Sequence, residues 1–203
     1  MSLASTDHGA GAHGATGARK GLGNPVLGML LFIVSEIMFF GGLFAAYFSL
    51  RTATGTWPPA GNGAFLLHEE VLFPAVMTGL LVLSSVTCQI AVWRIRRGDR
   101  KGMNRALLMT VLLGVIFLLG QAYDYTQLGF GIADGVFGST FYILTGFHGA
   151  HVLGGVLMLA VCLYRGGLGQ FSAQHHDMVE ATSIYWHFVD VVWILLFSLL
   201  YLI

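Results

Sequence analysis

Long apolar runs alternate with short polar stretches along the chain, and there are five such runs: about 26–50, 71–93, 105–128, 138–164 and 181–203. Each exceeds the roughly 20 residues a helix needs to cross a hydrocarbon layer about 30 Å thick. None shows the strict alternation of a barrel strand, so all five are predicted to be helices, which satisfy their own backbone in lipid. Breakers fill the gaps: Trp57-Pro58-Pro59, Gly61-Asn62-Gly63, Arg97-Gly98-Asp99 and Gly129-Phe130-Gly131. No internal repeat is visible. The expected fold is an all-α integral membrane protein with one five-helix domain, 25–203, behind a Gly/Ala-rich tail. That tail, 1–24, carries His8 and His13 and is expected to be flexible. The run after Arg19-Lys20 is too long for a signal-peptide core and contains Glu36, so it reads as a true span.

Composition sharpens this picture. The chain is 56% apolar and 10% charged, with a mean hydropathy of +0.75, too few charges to cover a water-soluble surface. Ten acidic residues balance ten basic ones, so no net field recruits nucleic acid. Two cysteines exclude a disulfide scaffold. The charges are unevenly placed, however. Arg19 and Lys20 precede the first span, six cations (Arg94, Arg96, Arg97, Arg100, Lys101, Arg105) crowd the second connection, and Arg165 follows the fourth span. Arg51 stands alone on the opposite side, which predicts the N-terminus inside and the C-terminus outside. Topology alone accounts for the basic connection, and a lipid head-group or subunit contact is the alternative.

Ionisable side chains at membrane depth are costly and usually face a bundle interior. At 1.5 Å per residue, Glu36 in the first span, His148 and His151 in the fourth, and His187 and Asp190 in the fifth fall at similar heights, each about 15–20 Å deep. Glu180, Ser183, His187 and Asp190 share one face of the last span. An intramembrane polar network of Glu36, His148, His151, His187 and Asp190 is therefore expected. Three uses of it stand side by side: structural glue between helices, a proton relay or regulatory carboxylate, and a haem held between His148 and His187. Against the last, His187 is expected to pair with Asp190, and no haem-attachment motif is present. Gly146, Ala150 and Gly154 form a small-residue stripe expected to pack against a neighbouring helix, as do Ser35, Gly42 and Ser49. Cys88 and Cys162 read as unbonded fillers, and Trp57, Trp93 and Tyr201 as interface anchors.

Two long motifs carry a resemblance. Span four reads Phe137-Gly138-Ser139-Thr140-Phe141 and then Thr145-Gly146-Phe147-His148-Gly149-Ala150-His151-Val152, and the last span Tyr185-Trp186-His187-Phe188-Val189-Asp190-Val191-Val192-Trp193. With Ser35-Glu36-Ile37-Met38-Phe39-Phe40 and Leu83-Ser84-Ser85-Val86-Thr87, the chain resembles subunit III of the haem–copper oxidases over about 26–203. The resemblance implies a non-catalytic subunit of a proton-pumping terminal oxidase in the bacterial cytoplasmic membrane, a cytochrome c oxidase more than a quinol oxidase. It implies partners too: subunit I with the haems and one copper site, subunit II with the electron-entry domain, and phospholipid. This chain would hold no metal or redox cofactor, and would stabilise subunit I, its lipids and its proton supply. Glu36 matches the family's carbodiimide-reactive carboxylate, His151 its histidine partner, and Arg165 a basic residue that holds a lipid phosphate. The commonest form of the family has seven spans, so the first helix pair would be missing or supplied by another subunit, which bears on the lipid cleft. Asp124 stands where the family usually has Glu. An accessory subunit of a nitric oxide reductase and an independent small proton channel are the other readings.

Overall fold

The computed structural model describes residues 23–57 and 71–202. The tail reading, Arg19, Lys20 and the breakers at 58–59 and 61–63 lie outside the described residues, as does Ile203. Among the described residues, five helices are long and apolar enough to span a membrane. They are α1 (Asn24–Ala53), α2 (Leu72–Arg96), α3 (Arg100–Gln127), α4 (Gly135–Gly167) and α5 (Asp177–Phe197), the last continuing into a π-turn, Ser198–Leu202.

Every helix runs past the apolar stretch that announces it, because hydropathy marks the lipid-crossing part while capping decides where a helix ends. Pro25 sits in the first turn of α1, where its missing N–H costs nothing. The α2–α3 connection is the tightest. Gly98 takes φ +78° to reverse the chain, and the Asp99 carboxylate accepts a hydrogen bond from the Gly102 amide at 2.8 Å. That cap starts α3 at Arg100 rather than near residue 105.

Four helices close a ring in which each packs on its sequence or cyclic neighbour: α2 on α3, α3 on α4, α4 on α5, and α5 back on α2. All four contacts are antiparallel, as short connections dictate. The first span lies outside this ring. It packs on α5, touches α4 slightly, and has only 17% of its most apolar window buried against 50% for the last span. It runs parallel to α5, with Phe32 beside Tyr185, Phe40 beside Phe188, and the Tyr47 hydroxyl donating to the Leu199 carbonyl at 3.0 Å. The π-turn leaves that carbonyl free to accept.

Trp186 occupies the middle of the ring and is 1% exposed. Its indole N–H donates to Ser84 Oγ of α2 at 2.9 Å. A methyl group on Gly114 of α3 would sit 2.8 Å from the ring, and one on Gly155 of α4 at 2.7 Å. The glycines that meet the Trp186 ring are thus these two and not the Gly146/Ala150/Gly154 stripe: nothing lies within 4 Å of an added carbon at Gly146, and only Tyr185 Oη, at 3.6 Å, at Gly154. The Ser35/Gly42/Ser49 stripe likewise faces away from the bundle, since Gly42 meets nothing and Ser35 is exposed. Tyr201 is 2% exposed and so is no interface anchor; its hydroxyl donates to Asp124 at 3.3 Å. Trp57 is half-buried and donates to Tyr47 Oη at 3.2 Å, whereas Trp93 is open at 53%. Cys88 and Cys162 are buried and unbonded to each other.

Two outcomes follow. Gly155→Ala should lose about 1–3 kcal/mol of stability by overpacking against the indole, while Gly149→Ala, where an added carbon meets nothing within 4 Å, should not; unfolding in detergent measures both. The Gly102 amide, then Arg94, hold the Asp99 carboxyl below the usual carboxylate range. Its contribution is present above a pH of about 4 and is lost as pH falls through the lower folded value. Melting temperatures should therefore separate wild type from Asp99→Asn near neutrality and converge in acid.

Candidate functional site

The first and fourth helices meet at a carboxylate–histidine pair. The His151 Nε2 lies 2.8 Å from Glu36 Oε2, and both side chains are 16% exposed. The His151 Nδ1 lies 2.6 Å from the Phe147 carbonyl one turn earlier in α4. A carbonyl only accepts, so Nδ1 carries a hydrogen, and a second hydrogen must lie between Nε2 and the carboxylate. Whichever of the two heavy atoms owns it, the pair holds one proton on that line. Phe39 stacks on the imidazole at 6.1 Å and Phe40 meets it edge-on at 4.9 Å. Helical spacing puts Glu36, Phe39 and Phe40 on one side of α1, and that side meets His151. The pair thus sits at mid-depth in an aromatic frame, on a seam that opens to the outside of the bundle.

The expected single network divides here. His148 lies in the same helix as His151, but three residues turn it onto a different face, into the ring. It is 0% exposed, stacks on Trp193 at 4.9 Å, meets Phe117 edge-on at 6.0 Å, and neither ring nitrogen has a hydrogen-bond partner. Nor does His187 pair with Asp190 by hydrogen bond: it turns to Gln89 Oε1 of α2 at 3.3 Å. Asp190 is buried beside Ser85, yet its Oδ1 and Ser85 Oγ are without hydrogen-bond partners. With His148 against Trp193 and His187 against Gln89, the two histidines weighed as a haem pair serve different neighbours. Among the described residues no three His, Cys, Asp or Glu side chains gather as metal ligands would.

The polar face of the last span is instead one side of an antiparallel α2–α5 seam. From the cation-rich end it runs through Arg96 to Glu180 at 2.8 Å, Gln89 to His187, and Ser85 beside Asp190, with Ser84–Trp186 and Thr78–Trp193 alongside. His176 adds a contact to Glu180 at 3.0 Å. Gln89 and Thr78 carry no motif or charge that marks them in the sequence, although Arg96, Gln89 and Ser85 recur at helical spacing and so mirror the α5 face.

Arg165 is drawn into its own connection. Its Nε donates to Gln170 at 2.7 Å, its Nη1 points to the Met178 sulfur at 2.9 Å, and the guanidinium lies 5.4 Å above the Phe171 ring. The other guanidinium nitrogen, Nη2, is the one left for an external anion.

Known proteins supply the remaining comparison. The family model described as cytochrome c oxidase subunit III matches residues 4–203. Cytochrome c oxidase subunit 3 of Thermostichus vulcanus is 42% identical over 179 residues, 88% of this chain and 87% of that one. The probable cytochrome c oxidase subunit 3 of Mycobacterium tuberculosis (strain ATCC 25618 / H37Rv) is 44% identical over 182 residues, 87% of each chain. Cytochrome c oxidase subunit 3 of Bos taurus is 42% identical over 196 residues, 93% of this chain and 72% of that one. By both its motifs and these matches, the chain belongs to the cytochrome c oxidase subunit III family.

Proposed function

We propose that this subunit III supports a proton-pumping cytochrome c oxidase without doing its chemistry. It stands beside subunits I and II of a terminal oxidase in a bacterial cytoplasmic membrane, with its cation-rich end inward. Haem and copper are assigned to those partners. The role of this chain is to stabilise subunit I and its proton supply. The observation that carries the reading is the Glu36–His151 pair. It is a one-proton unit at mid-depth, framed by phenylalanines and partly open on the side where α1 leaves its surface uncovered. Such a unit steadies the first helix against the fourth and holds a proton near a neighbouring subunit. The relatives compared above carry the oxidase name, which favours this reading over a nitric oxide reductase subunit or a lone channel. Phospholipid is proposed as a further companion, held in part through Arg165 Nη2.

Purification of the complex checks the assignment: it should bring down a subunit with haem a or o and copper, whereas a haem b and non-haem iron partner, or a lone protein moving protons in liposomes, would overturn it. Glu36→Gln should assemble and keep most of the initial oxidase rate, because the amide still donates to His151 Nε2 at a cost of about 1 kcal/mol. Loss should appear only over prolonged turnover. A variant dead from its first turnovers would remove the supporting role. Arg165→Ala should lower the phospholipid phosphorus retained by the purified complex, and unchanged phosphorus would withdraw that residue from lipid binding.

A further inference from the structure

A feature not used so far is a groove of about 530 Å³ between α2 and α3 at the cation-rich end of the bundle. Its rim carries Arg94, Lys101 and Arg105, and its walls are Ile90, Ala106 and Met109. The one acid at the rim, Asp99, is already answered: Oδ2 accepts from Arg94 at 2.9 Å and Oδ1 from the Gly102 amide. Lys101 and Arg105 are exposed and leave a net positive rim. The groove reaches Thr87, about 10 Å along α2 from Arg94 at 1.5 Å per residue. Thr87 is itself closed off by a 2.8 Å hydrogen bond to Thr110, so the floor offers no polar group in need of a partner. One helical turn deeper than Ile90 and Met109, Val86 and Leu112 are exposed at 52% and 48%.

A cationic rim at the level where head groups lie, above an apolar trough pointing into the hydrocarbon, matches one kind of molecule. We propose that this groove binds an anionic diacyl phospholipid, its phosphate between Lys101 and Arg105 and one acyl chain along Ile90 and Met109. A soluble anion would use the rim and leave the trough empty. A zwitterionic lipid would bring no net charge to match it. The site is separate from Arg165, which belongs to α4, across the ring from α2. It rests only on the helices spanning a membrane, so it survives or fails independently of the oxidase reading.

The test uses the full-length chain in the assembly with which it purifies, delipidated in detergent and titrated with phosphatidylglycerol, phosphatidylcholine or inorganic phosphate, with bound lipid counted by native mass spectrometry. Lys101→Gln with Arg105→Gln should weaken phosphatidylglycerol binding on the order of tenfold. Arg97→Gln, beside Trp93 and outside the groove, should leave it unchanged. Phosphatidylcholine should bind weakly to all three proteins, and millimolar phosphate should not compete. Equal phosphatidylglycerol binding in the double variant would overturn the proposal. So would an equal loss in Arg97→Gln (diffuse charge), competition by phosphate (a soluble-anion site), or loss of a protein subunit in place of lipid. If the double variant does not fold, phosphatidylglycerol with a photoreactive acyl chain decides on the unaltered protein. Label at Ile90 or Met109 supports the site, and label confined elsewhere refutes it.

Discussion

The Trp186 indole fills the axis of the four-helix ring, and the spacing of the other three ring helices follows from it. On one side it donates to a serine of α2; on the others it lies where only glycine leaves room in α3 and α4. In lipid, helices gain little from hiding apolar surface, because the solvent is as apolar as they are. Close fit and interhelical hydrogen bonds hold them instead. A large ring pressed against two backbones gives the first, and its single N–H gives the second. Trp193 repeats the device one layer on, donating to Thr78 and stacking on His148.

This arrangement explains why the polar residues at mid-depth are so differently treated. Inside the ring, space is set by aromatic packing, and His148 is packed as a flat aromatic with no partner for its nitrogens. On the α2–α5 seam, polar groups serve as rungs that register two antiparallel helices. At mid-depth, the outer α1–α4 contact is where an acid meets a base with part of each still reachable.

Much of the architecture is legible from hydropathy, since five spans need five long apolar runs. Which helix stands outside the ring is not legible, because lipid-facing and helix-facing surfaces are both apolar and all five runs look alike. Depth arithmetic rightly brings Glu36 level with His151. It treats His148 as equivalent, however, because depth ignores the angle by which three residues rotate a side chain about the helix. The partners of the α5 face are written in α2 as Arg96, Gln89 and Ser85, but a lone glutamine in an apolar run draws no notice until the opposing face is known. Tyr201 illustrates the converse: its place at the end of a span suggests an interface residue, while Asp124 and the ring draw it inward.

The peripheral position of α1 also sets an order of events during synthesis. Its main companion is α5 and its acid is answered from α4, so the ribosome completes α1 long before either partner exists. Through that interval α1 stands in the bilayer with Glu36 lacking its histidine, a costly state for an ionisable group at that depth. Closure of the Glu36–His151 bond therefore reports that the fourth helix has arrived. The same bond that occupies the candidate functional site thus waits for α4 and forms before α5, the main companion of α1, need be in place.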